Sequence, residues 1–111
     1  MNITSITGRL THDPELRATA DGTKLSTLRI ASARARTRDV TDFFDVTVWR
    51  GLAETCAEHL EKGRLVHVVG EMQYREWKDD DGNHRRAYEV QADNVQFLGG
   101  RPGDPAPATT T

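Results

Sequence analysis

Hydrophobic and polar residues alternate along several short stretches of the chain, and this period of two is typical of strands with one buried face. Turn residues separate the stretches: Asp21-Gly22 in the first half, and the tip at 79–83 in the second. Glycine in such turns accepts the positive φ that tight hairpins require. We therefore predict five strands, of which the fourth and fifth form one long hairpin: 3–10, 24–33, 43–49, 65–77 and 85–97.

One stretch between the third and fourth strands has a helical period instead. Leu52, Cys56 and Leu60 recur every fourth residue, which predicts a helix over about 51–61. Lys62-Gly63 predicts its end, because a cation suits the last turn and glycine accepts a left-handed cap. From residue 99 onward the chain is mainly Gly, Pro, Ala and Thr, with little to bury. We expect a folded domain over 1–98 and a disordered tail over 99–111.

This order of elements predicts the fold class. Three strands, a helix and two further strands occur in the order of an oligonucleotide/oligosaccharide-binding (OB) barrel. We therefore predict an all-β domain with one short helix, whose five antiparallel strands close into a barrel. Gly8 and Gly70 fall inside strands and are expected at bulges or close backbone approaches. A chain of 111 residues that is 36% hydrophobic has a lean core, which favours burial against sister subunits.

The third strand carries more aromatic residues than its core face needs. Phe44, Val46 and Val48 share one face and complete it. The other face therefore presents two aromatic rings beside polar residues: Phe43, Asp45, Thr47 and Trp49. From the pattern alone, these rings either bind a ligand or pack against a subunit or the helix. Trp77 lies near a hairpin tip, where exposure favours a function in binding.

Charge changes this picture only locally. The formal net charge is −2, which does not indicate a nucleic-acid ligand. Between Thr23 and Arg38, however, there are five basic residues and no acidic one. Such a stripe either binds phosphates or is a solvated basic strand edge.

Catalytic and metal chemistry find no support in the sequence. The four histidines form no i, i+4 pair, there is one cysteine, and the aspartates at 79–81 lack the spacing of a calcium loop. No Ser/His/Asp or Cys/His constellation and no phosphate-binding glycine loop occurs. We expect no enzyme activity, no metal and no cofactor. Without an apolar stretch of membrane-spanning length or a signal peptide, we expect a soluble intracellular protein.

Several motifs follow one another in register over residues 1 to about 98. Together they resemble the bacterial-type single-stranded DNA-binding proteins. The opening run Gly8-Arg9-Leu10-Thr11-His12-Asp13-Pro14-Glu15-Leu16-Arg17 is similar to the signature of that family. The later matches are Val48-Trp49-Arg50, Leu60-Glu61-Lys62-Gly63, Arg75 with Trp77, Glu89-Val90, and Val95-Gln96-Phe97-Leu98.

The resemblance implies an OB barrel that assembles as a homotetramer, with a dimer as the alternative. It implies sequence-nonspecific binding and protection of single-stranded DNA in replication, recombination or repair, in the cytoplasm at the nucleoid. Phe43, Trp49 and Trp77 match the positions whose aromatic rings stack on bases. We expect phosphate contacts from cations along the same path: Arg9, Arg29, Arg34, Arg36, Arg38, Arg50, Arg75, Lys78, Arg85 and Arg86.

Two features depart from the family pattern. Members carry a further aromatic residue in the loop after the second strand, where this chain has Arg34, Arg36 and Arg38. This loop therefore favours phosphate contact over stacking. The acidic tip through which the family recruits replication and repair proteins is absent. Either the chain is a short or accessory member without that recruiting role, or it is truncated.

Two other function classes remain alternatives to DNA binding. The barrel could be a protein-interaction module whose aromatic face binds a partner, or a nucleic-acid enzyme. The combination of aromatic rings and arginines favours DNA binding over the first alternative. The lack of an acid/base or metal cluster argues against the second.

Overall fold

The computed structural model describes residues 1–37 and 39–98, and the backbone of the short strand at 108–110. Arg38 and most of the predicted tail lie outside the described residues. The described elements are β1 (Thr4–Leu10), β2 (Leu16–Ala18), β3 (Lys24–Ala33), β4 (Thr41–Trp49), α1 (Arg50–His59), β5 (Leu65–Lys78), β6 (His84–Leu98) and β7 (Ala108–Thr110).

Five of these strands form a closed ring. β1 pairs with β5, β5 with β6, β6 with β4, β4 with β3, and β3 again with β1. This ring, with one helix among the described residues, confirms the predicted OB fold. The prediction that all five strands are antiparallel is wrong for one pair of neighbours. Strands β4 and β6 run parallel, with Val46 opposite Val90 and Thr47 opposite Gln91. A ring with an odd number of strands cannot alternate direction at every step, so one pair of neighbours must be parallel.

The core fills the inside of the ring. Leu28 and Ile30 of β3 are buried whereas Arg29 between them is exposed, as the alternation predicts. Valines from the other strands complete the same cluster: Val46, Val48, Val66, Val68, Val90 and Val95. Helix α1 adds the buried side chains of Ala53 and Cys56.

The helix ends earlier than the sequence predicts. Its last residue is His59, whereas the periodicity of Leu52, Cys56 and Leu60 extends the prediction to about 61. Leu60 has an extended backbone, with φ −103° and ψ 149°, and its side chain is buried in the core. Leu60 therefore continues the apolar spacing of the helix because its side chain is buried, although the helix has already ended.

Two strand glycines lie where backbones approach closely, as predicted. A Cβ on Gly8 would lie 2.3 Å from the carbonyl oxygen of Ala31, at the place where β1 leaves β5 to pair with β3. A Cβ on Gly70 would lie 2.1 Å from the carbonyl oxygen of Gln91, beside a register shift between β5 and β6. Beyond the pair formed by Met72 and Val90, the two strands leave the barrel and continue as the long hairpin.

The short strand β7 lies within the part of the chain that the sequence predicts to be a disordered tail. Ala108–Thr110 pairs antiparallel with Val95–Phe97 of β6. Strand β4 pairs with β6 only at Val90 and Gln91, so this part of the β6 edge is open to another strand. Residues 99–107 and 111 of the tail lie outside the described residues.

Candidate nucleic-acid interface

The outer face of β4 exposes two aromatic rings, as the period of two predicts. Phe43 is 54% exposed and Trp49 is 39% exposed. Thr47 lies on the same face of β4, where the period of two predicts exposure. Its side chain is only 3% exposed, so the prediction is wrong at this residue. Its neighbours explain the burial: Thr27 of β3 pairs with it on one side and Gln91 of β6 on the other.

Trp49 is held in place by a hydrogen bond to the next strand of the ring. Its indole Nε1 donates to Oε1 of Gln91 over 2.7 Å. The Gln91 amide in turn donates to Oε1 of Glu89 over 2.7 Å. Because the indole nitrogen is satisfied, the ring has a fixed orientation and still presents an apolar surface to solvent.

Phe43 lies beneath a cation. The guanidinium carbon of Arg29 is 4.8 Å from the centre of the Phe43 ring. Arg9 of β1 is opposite Ala31 of β3, and Ala31 is opposite Phe43. Both arginines therefore flank the ring on one face of three neighbouring strands, an arrangement that suits a stacked base and its phosphate.

Trp77 provides a third exposed ring, on the long hairpin. Its side chain is 43% exposed, and the guanidinium carbon of Arg75 is 5.0 Å from its ring. Arg85 is the cross-strand partner of Trp77. Arg85 and Gln91 lie an even number of residues apart on β6, so they share one face, and Gln91 accepts the hydrogen bond from Trp49. Trp77, Trp49 and Phe43 therefore lie on one continuous face of the sheet, which we call the aromatic face.

The predicted phosphate-binding cations are distributed unevenly around this face. Arg9, Arg29, Arg75 and Arg85 lie on the aromatic face. Lys78 and Arg86 alternate with Trp77 and its partner, so they lie on the opposite face of the hairpin. Arg36 is exposed in the loop after β3, and Arg50 is exposed at the start of α1. Arg38 lies outside the described residues.

Several of these cations already have partners in the protein. Arg34 donates two hydrogen bonds to the Asp42 carboxylate, over 2.9 and 3.1 Å. Arg85 donates to Oδ2 of Asp79 over 2.8 Å. These hydrogen bonds lower the pKa of Asp42 and of Asp79, so both carboxylates remain charged and compete with phosphate. Arg9 donates to the carbonyl oxygen of Gly63, a neutral acceptor, over 3.0 Å.

One further cation on this face, Arg17, is not among the predicted phosphate contacts. Arg17 of β2 is opposite Leu25 of β3, and Leu25 is opposite Trp49. Its guanidinium donates to the hydroxyl of Thr27 over 2.8 Å. The turn at Asp21-Gly22 sets the register of β2 against β3 and so pairs Arg17 with Leu25. This turn is the sequence feature from which the position of Arg17 could have been predicted. The pairing of Leu25 with Trp49 is a tertiary contact that the sequence does not display.

The opposite face of the hairpin has aromatic residues of its own. Tyr74 and Tyr88 are cross-strand partners with ring centres 5.0 Å apart. Both side chains are exposed, so neither belongs to the core. The Tyr74 hydroxyl donates to Oε1 of Glu76, and this hydrogen bond contributes most to the raised pKa of Tyr74.

Metal-ligand chemistry has no counterpart in the described part of the chain. Among residues 1–37 and 39–98, no three His, Cys, Asp or Glu side chains come together as a metal site would require. No described helix is long and apolar enough to cross a membrane.

Comparison with known proteins assigns the chain to a family. The model of the single-strand binding protein family matches residues 1–98. The chain belongs to this family. It is 43% identical over 102 residues to a single-stranded DNA-binding protein of Caldanaerobacter subterraneus subsp. tengcongensis, covering 88% of this chain and 68% of the relative. It is 39% identical over 107 residues to one of Bacillus cereus, covering 93% and 63%.

A third relative extends the same finding. Single-stranded DNA-binding protein A of Bacillus subtilis is 39% identical over 102 residues, covering 88% of this chain and 59% of the relative. The family member described here thus spans about two thirds or less of the length of these curated relatives. The matched part includes the whole ring and the long hairpin.

Proposed function

We propose that the protein binds and protects single-stranded DNA without choosing a sequence, by stacking bases on Phe43, Trp49 and Trp77. The observation that carries the proposal is the aromatic face, on which three exposed rings share one side of the sheet. A buried core needs none of these rings, and unpaired bases offer flat surfaces that stack on any aromatic ring. The proposed settings are replication, recombination and repair, and the proposed role is non-enzymatic.

Phosphate contacts complete the proposed mode of binding. Arg29 and Arg75 each lie over an aromatic ring, so a base stacked on that ring would bring its phosphate near a guanidinium group. Arg9 and Arg17 lie at the edges of the same face. Each phosphate neutralised on a single strand contributes about 0.7 to the slope of log affinity against log salt. Binding through these four arginines is therefore expected to weaken steeply with salt.

We propose a homotetramer as the assembly, with a dimer as the alternative. The exposed Tyr74–Tyr88 pair supports burial against another subunit, because it presents aromatic surface opposite the proposed DNA face. Sedimentation equilibrium of the wild type and of Tyr88→Ala tests this assignment. A wild-type monomer at micromolar concentration would contradict it.

Tryptophan fluorescence tests the DNA-binding proposal directly, because Trp49 and Trp77 are the two tryptophans of the chain. Titration with oligo(dT) is expected to quench the emission, and duplex DNA is expected to leave it unchanged. Trp77→Phe leaves Trp49 as the reporter, and Trp49→Phe leaves Trp77, so each site is measured separately. Alanine at Phe43 or at either tryptophan is expected to weaken binding by about 1–3 kcal/mol.

Tyr88→Ala is the matched control, since it removes an exposed ring from the opposite face of the hairpin. It is expected to leave the affinity per subunit nearly unchanged when assembly is intact. No quenching of the folded wild type at low salt would refute the proposal. Equal losses for Trp77→Ala and for a Tyr88→Ala protein that sediments at the wild-type mass would refute the assignment of the aromatic face.

A further inference from the structure

A shallow depression lies beside Trp49, at one end of the aromatic face. Its lining comes from the turn between β2 and β3 and from the junction of β4 with α1: Thr19, Ala20, Asp21, Thr23, Trp49 and Arg50. Its volume of about 680 Å³ falls within the roughly 300–1,000 Å³ of small-molecule sites. Because Gln91 fixes the indole, Trp49 contributes a positioned aromatic surface to this depression.

The turn places a carboxylate in the same depression. Oδ1 of Asp21 accepts hydrogen bonds from the Thr19 hydroxyl and, over 3.2 Å, from the Thr23 amide. These bonds lower the pKa of Asp21, so the group is ionised at neutral pH. The Thr23 side chain also hydrogen-bonds this carboxylate and lowers its pKa, but a carboxylate has about four acceptor positions, so the exposed Asp21 group can still accept a donor from a base. The depression thus offers a charged acceptor beside a stacking surface.

We propose that this depression is a base-selective subsite, in which Asp21 favours a base with an exocyclic amino group over thymine. Cytosine, adenine and guanine each carry an amino group that can donate to a carboxylate. Thymine carries a carbonyl oxygen where cytosine has its amino group, and that oxygen repels the carboxylate. The inference rests on the proposed binding of single-stranded DNA and adds one position at which the base matters.

The substitution Asp21→Asn tests the subsite with little change of shape. The asparagine carbonyl oxygen can keep the turn hydrogen bonds of Oδ1, while its amide nitrogen replaces Oδ2. An acceptor facing the base thereby becomes a donor, which suits the O4 carbonyl of thymine. Asp21→Ala is the second variant: it removes the acceptor without adding a donor, so the preference should disappear without reversing.

The measurement compares affinities for oligo(dC) and oligo(dT) of equal length, at pH 8 and matched salt, by tryptophan quenching. These two pyrimidines have similar size, and dividing the variant ratio by the wild-type ratio cancels differences between the free strands. In Asp21→Asn, the affinity for oligo(dC) relative to oligo(dT) is expected to fall about fivefold. This is the lower end of carboxylate–base discrimination, since the depression is open.

Glu58→Gln is the control for charge alone, because it removes one negative charge near the other end of α1. It is expected to change both affinities by the same factor and leave their ratio unchanged. If Asp21→Asn behaves like Glu58→Gln, with both oligonucleotides still bound, the subsite is refuted and the proposed function stands. If the folded wild type binds neither oligonucleotide, both proposals are refuted.

Discussion

Replacing Gly70 with alanine is expected to destabilise the fold strongly, because β5 and β6 are in backbone contact there. An added Cβ would lie 2.1 Å from the carbonyl oxygen of Gln91 and 2.9 Å from the Cα of Ala92. Ordinary contacts of a Cβ begin at 3.4 Å. These neighbours are backbone atoms, so no side-chain rotation can make room. The two strands must separate by more than 1 Å, measured from the same distances.

The size of the effect follows from this geometry. Overpacking a well-packed site costs about 1–3 kcal/mol, and a clash with backbone belongs at the upper end of that range. For a domain of about 100 residues, 3 kcal/mol lowers Tm by on the order of 15 °C. Gln91 also binds the indole of Trp49, so displacement of β6 should change the emission of Trp49 in the folded state.

Urea unfolding followed by tryptophan fluorescence, at one fixed subunit concentration, measures this cost. Gly51→Ala is the matched control, because Gly51 lies in α1 and nothing lies within 4 Å of an added Cβ. It should stabilise the protein by about 0.5–1 kcal/mol, since alanine restricts the unfolded chain and favours helix. A Gly70→Ala protein within about 0.5 kcal/mol of the wild type would refute the reasoning, because that is the ordinary scatter of surface substitutions.

Three further predictions concern other parts of the molecule. Asp42→Asn should release Arg34 for phosphate, so that DNA affinity rises and the salt slope steepens by about 0.7; weaker binding would contradict this. Leu28→Ala should cost about 3 kcal/mol in urea unfolding, because Leu28 is buried in the core; a cost below about 1 kcal/mol would contradict this. Burial raises the pKa of the Cys56 thiol from 9.0 to about 12. The contribution of this thiol to the free energy of unfolding is therefore complete below pH 9 and is lost as the pH rises towards 12, because the unfolded chain ionises first. At pH 8 a thiol reagent should therefore modify Cys56 only at the rate of unfolding, and rapid modification of the native protein would contradict this.

The sequence alone determined the five strands of the ring, the helix and the direction of most side chains. Strand geometry imposes a period of two locally, so the alternation in 43–49 identified the exposed rings of Phe43 and Trp49 before any fold was known. Helical spacing and turn glycines are equally local signals. The same local logic failed at Thr47 and Leu60, because burial there depends on neighbouring strands and on a helix that ends earlier than its apolar period.

Only the tertiary structure decided which residues meet across strands. Three contacts join distant parts of the chain. They are the cross-strand row from Arg17 through Leu25 to Trp49, the hydrogen bond from Trp49 to Gln91, and the parallel pairing of β4 with β6. No local window specifies such register. Register is set when five strands close one ring and bury a shared core. The pairing of β6 with both β4 and β5 is what brings Trp77 onto the face that Phe43 and Trp49 already share.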